Sequence, residues 1–169
     1  MSQETRAGLL ALLDEAYDRR SWHGTNLRGA VRAIEPHQVI WRPGPGRHNV
    51  WELVVHAAYW KYVVRKRVSG APRGGFPLVG SNFFPREGLF NAERWEADLD
   101  LLADQHGQLR AMAAALEDAD LVRLVGGKPL AWMIRGAAAH DLYHAGQIQL
   151  LKTLAPPPRR AAARKGAIR

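Results

Sequence analysis

Apolar residues recur at every third or fourth position along four long stretches of this 169-residue chain, and that period narrows the choice of fold more than any other feature. Spacings of three and four line up side chains on one face of an α-helix, whereas a half-buried strand alternates at every second residue. The stripes are Leu9, Leu13 and Ala16/Tyr17; then Leu53, Ala57, Trp60 and Val64; then Trp95, Leu99, Leu102, Leu109, Met112 and Leu116; then Met133, Ala137, His140/Asp141, His144, Ile148 and Leu151. They predict helices over about 2–20, 49–70, 91–116 and 129–155, with Ser2 capping the first and Pro129 in the first turn of the last. Asn49 and Glu52 have the spacing of a capping box, in which the amide caps an early N–H and the carboxylate reaches back. A short helical piece over 27–34 should be stopped by Pro36, and Gly126-Gly127 should break the chain.

Helices apolar on one side must bury that side against one another. The expectation is all-α: an up-and-down four-helix bundle over residues 1–155, followed by a proline-led basic tail over 156–169. Between the second and third helices runs a long loop, 71–89, with four glycines, three prolines and Phe76, Phe83 and Phe84. Loops of that length are either functional or packed on their own side chains, so this one is a lid or wall over the helices, or an ordinary packed loop.

The net charge of +8 invites a nucleic-acid reading, and its distribution weakens that reading. Arg159, Arg160, Arg164, Lys165 and Arg169 all lie in the tail; without them 19 basic residues face 16 acidic ones, a net of +3. A tail of this kind attracts phosphate without specificity, so nucleic acid is not expected as a partner except through it. Lys61, Arg65, Lys66, Arg67 and Arg73 form a second basic cluster, expected to be an exposed helix face rather than the rim of an anion pocket. The chain has no cysteine, no apolar run of membrane-spanning length and no signal-like start, which suits a cytoplasmic location.

His140 and His144, four apart, fall on one helix face about 6 Å apart along the axis, a spacing at which two imidazoles can converge on one metal ion. They stand on the apolar stripe, where unsatisfied imidazoles would be costly, among small residues that leave room for an ion and a ligand. Asp141 occupies the place of the glutamate in the zinc-protease motif, but no acidic residue or histidine follows His144 to complete such a site. A third ligand must come from upstream. His56 beside the second stripe and His106 on the third helix both qualify, and His23 in Trp22-His23-Gly24 could reach the mouth of the site as a further ligand or proton acceptor.

The segment His140-Asp141-Leu142-Tyr143-His144-Ala145-Gly146-Gln147-Ile148 resembles the H-x-x-x-H-x-G-Q-I element of the DinB/YfiT-like metalloenzyme family. Trp51-Glu52-Leu53-Val54-Val55-His56-Ala57-Ala58-Tyr59-Trp60 is similar to that family's second-helix element, and the pairing of the two, within a likeness covering about residues 5–155, carries the resemblance. It implies His56, His140 and His144 as a metal triad, a divalent ion such as zinc or nickel, and a bundle that is often a homodimer. It also implies chemistry on a small molecule: transfer or isomerisation dependent on a low-molecular-weight thiol. Three imidazoles with an open position would equally support hydrolysis by metal hydroxide, and a non-catalytic metal-binding protein of stress response is the other alternative. His23, Glu52 and Asp141 are the candidate catalytic side chains, as proton acceptors or as partners of a ligand histidine's second nitrogen.

Overall fold

The computed structural model describes residues 5–158 apart from 71, 73 and 74. Six α-helices account for most of them: α1 (Arg6–Tyr17), α2 (Leu27–Val31), α3 (Pro36–Ile40), α4 (Val50–Ser69), α5 (Ala92–Ala114) and α6 (Leu130–Leu154). Each of four helix starts is fixed by a side-chain oxygen one residue upstream. Thr5 accepts from the Gly8 N–H, Asn26 from Gly29, Asn49 from Glu52 and Asn91 from Arg94. Such caps satisfy amides that have no partner inside the helix. The α1 cap is therefore Thr5; Ser2 lies outside the described residues.

Two proline and glycine signals behave differently from the expectation. Pro36 opens α3 instead of stopping a helix, because a missing N–H costs nothing in a first turn. Gly126 and Gly127, at φ of 59° and 75°, form the two-residue turn of a small hairpin pairing Leu124–Val125 with Lys128–Pro129. Pro129 thus ends a strand and precedes α6 by one residue.

Among the four long helices, α1 packs on α5 and α6, and α4 packs on the same two, while α2 and α3 lie against α6. Arg110 of α5 grips Asp14 of α1 through Nε and Nη2, at 2.5 and 2.9 Å. The apolar interior has two large parts, besides a small cluster of Val68, Leu130 and Met133. One gathers Leu9, Leu13, Leu109, Leu121 and Ile134; the other gathers Trp51, Val54, Phe84, Trp95, Leu102 and Ile148. Between them along α4, α5 and α6 sit Lys61, Gln105, His106 and Asp141, all buried. No helix among the described residues is long and apolar enough to cross a membrane.

The segment following α4 is pinned rather than draped. Phe84 is buried, and the Arg86 guanidinium donates to both Asp98 oxygens, at 2.7 and 3.1 Å, in a pair 5% and 8% exposed. The Arg86 N–H donates to Glu52 (3.0 Å), and Asn49 Nδ2 donates to the Arg86 carbonyl (3.0 Å). Residues 84–86 of the loop are thus packed against α4 and α5.

Candidate metal centre

α4 carries His56 two turns from its start, and α6 carries His140 and His144 one turn apart. Because α4 and α6 pack together, the three rings converge. His140 Nε2 is 3.1 Å from His56 Nε2 and 3.0 Å from His144 Nε2, and ligand atoms of all three lie within 4.8 Å of one another. The outward nitrogens of two rings are already committed. His56 Nδ1 donates to the Asn82 carbonyl at 2.9 Å, and His144 Nδ1 donates to Gln147 Oε1 at 2.7 Å. Both Nε2 atoms are then bare lone pairs. A single proton on His140 Nε2 can serve only one of the two contacts, so at least one nitrogen pair meets with no proton between.

Burial keeps the cluster neutral. It lowers the pKa of His56, and it pushes His140 down to about 3 and His144 to about 4, with neighbouring imidazoles adding to the effect. A tetrahedral zinc ion with Zn–N bonds of about 2.0–2.1 Å places its donors about 3.3 Å apart, so the observed spacings suit a cation in the cluster's midst. The donor set fits: three neutral imidazoles, two oriented through their second nitrogen. They could hold a metal ion.

The cluster lies in a cleft of about 700 Å³. Phe83 stands in its wall between two imidazoles, stacked on His56 at 4.0 Å and on His48 at 3.6 Å. Trp60 and Tyr143 also line it, as do Leu53, Leu150 and Leu151, and Tyr59 packs on Phe76 and Phe84. Asn82, at φ 65°, holds the loop to α4 twice, since its side-chain oxygen accepts from Trp60 Nε1 at 3.0 Å.

The other expected site residues lie elsewhere. Asp141, fully buried, points into the core and pairs with Lys61, and it is Gln147 that meets a ring of the triad, His144. Glu52 is a buried anchor. It accepts from Arg42 Nη1 (2.8 Å) and Nη2 (2.5 Å), from His48 Nδ1 (2.9 Å) and from the Arg86 N–H. Burial raises its pKa, but these bonds more than offset that and hold it at about 2. Only half of the capping box forms, because the charged Arg42 fork outcompetes a neutral amide for the carboxylate. His23 is exposed and pairs with Ser21 Oγ at 3.4 Å, outside the cleft lining. His106 stacks on Tyr17 at 3.8 Å, with its Nδ1 3.4 Å from Lys61 Nζ; burial, helped by Lys61, brings its pKa to about 3.

Three residues of the cleft and its core support escaped the sequence reading. Lys61 is 1% exposed, so the basic cluster is not a uniformly solvated face; Arg73 lies outside the described residues. His48 was legible: it precedes Glu52 by four, the spacing that now joins them. Asn82 had no signal, since its role depends on where the loop settles. A family model described as the DinB superfamily matches residues 19–148. No curated protein and no solved structure matches the chain.

Proposed function

The chain belongs to the DinB superfamily, and from that membership we propose a metal-dependent enzyme acting on a small molecule, of the thiol-dependent transferase or isomerase type. The observation that carries this is the meeting of three Nε2 atoms at 3.0 and 3.1 Å with protons for only one of the contacts. A cation resolves that conflict. On this reading the four long helices form an up-and-down bundle whose α4 and α6 supply His56, His140 and His144 to zinc or nickel. Such an ion supplies Lewis acidity, favouring the deprotonated form of a water or thiol.

The rest falls to side chains of this chain. The Asn82 carbonyl and Gln147 Oε1 fix the ring orientation of His56 and His144. Phe83, Trp60 and Tyr143 seat the apolar part of a substrate and keep water from its face. His48, the other histidine of the cleft wall, is held through Nδ1 by Glu52 and so presents Nε2 as the atom to take or return a proton. In this role it replaces His23, Glu52 and Asp141.

Metal analysis of the purified protein is the direct test. One divalent ion per chain is expected, with at least a tenfold loss in His140→Ala; unchanged metal content in that variant would remove the triad. Turnover of electrophiles with a panel of low-molecular-weight thiols should vanish on chelation. His48→Gln should lose most of the turnover while keeping the metal. No turnover with any thiol by a fully loaded protein would leave a metal-binding protein without this chemistry.

A further inference from the structure

The cleft has a second polar feature besides its imidazoles. Arg42 and Arg47 bracket the turn before α4. Arg42 is engaged through both terminal nitrogens: its fork holds Glu52, and Nη1 also donates to the Arg47 carbonyl at 2.6 Å. The Arg47 backbone is fixed a second time by its N–H, which donates to the Gly44 carbonyl at 3.2 Å. Its guanidinium, by contrast, is exposed and makes no hydrogen bond or ion pair among the described residues. An unengaged cation on an anchored backbone thus stands in the wall of a cleft whose other lining is mostly apolar, with Pro43, Leu53, Phe83 and Leu150 among it. Among the described residues no aspartate or glutamate lines that cleft, and the nearby Glu52 is buried and paired.

An apolar cavity with a few placed polar groups selects a ligand that is apolar along its length and polar at defined ends. A guanidinium fork matches a planar anion, and no carboxylate of the wall opposes one. We propose that the cleft binds an organic anion with an apolar body, its carboxylate-like group on Arg47 and its opposite end directed at the three imidazoles. This rests on reading the imidazoles as the reactive end, and it makes Arg47 the residue that determines substrate class.

Calorimetric titration of the full chain with 4-phenylbutyrate, 4-phenylbutyramide and 4-phenylbutylamine tests it, on the purified protein and again after chelation and dialysis. The carboxylate should bind about tenfold more tightly than the amide, and the amine most weakly, in both preparations. Arg47→Gln should bring the carboxylate down to the amide and leave the amide unchanged, while Arg47→Lys should keep part of the preference. Equal binding of the three probes, no binding of the carboxylate at millimolar concentration, or a preference surviving Arg47→Gln would overturn the proposal. So would a preference that disappears with the metal, since the anion would then sit at the imidazoles. If the purified protein holds no metal, the triad reading fails while the dialysed arm still decides the case of Arg47.

Discussion

Gln147 meets His144 through one oxygen, at 2.7 Å, and that contact selects which ring nitrogen is left bare. Gln147→Leu should keep the fold and weaken metal binding by about 10- to 100-fold, as loss of a ligand's outer partner commonly does; a competitive chelator titration measures it. Protons compete at the same atoms only when the rings can take them. Because burial lowers the pKa of all three rings, acid should displace the ion only well below the ordinary histidine range. Metal retained after dialysis across that range checks the direction. The pair His140 and His144 was readable in the sequence, because a spacing of four on an apolar stripe is a local fact, whereas His56 was reached only through the family resemblance. Their orienting partners were readable only in part: Gln147 lies within a turn of its histidine, while the Asn82 carbonyl reaches His56 across 26 positions.

At the scale of the helices, the buried pair Lys61–Asp141 ties α4 to α6, the two elements that bring the imidazoles together. Among the described residues Asp141 Oδ1 has no hydrogen-bond partner, and Lys61 is the cation that faces the carboxylate. Lys61→Met should cost about 3–5 kcal/mol by leaving that charge uncompensated, whereas Lys61→Met with Asp141→Leu should recover most of the loss. Urea unfolding of the three proteins is the measurement. Acid should destabilise the same interior. Unfolded chains protonate glutamate below about 4.5 and histidine below about 6.5, while native Glu52 waits until about 2 and His106 until about 3. The unfolded state therefore binds more protons, and stability should fall as pH drops from 6.5, more steeply below 4.5. Thermal melts at stepped pH follow it. Helix positions were legible because period and caps are written within a turn of each other. Lys61 was not, since its partner stands 80 residues away and a lysine among arginines reads as surface.

For the whole molecule, the tail holds five of the eight net positive charges. Deleting residues 156–169 should abolish binding to non-specific duplex DNA while leaving metal content unchanged; retained binding with the same salt slope would place the contact on the folded part. The described chain is otherwise held by two kinds of tie. Apolar stripes, with the pairs Arg110–Asp14 and Lys61–Asp141, join the helices, and polar anchors fasten the segment after α4: Arg86 to Asp98, and Asn82 to both His56 and Trp60. Because those anchors are set by counted positions along the segment, its length is not free to drift as a surface connection's usually is. Adding or removing a single amino acid between 82 and 86 would pull one fastening out of reach of its mate, and the first casualty would be a ring's orientation rather than the hydrophobic interior.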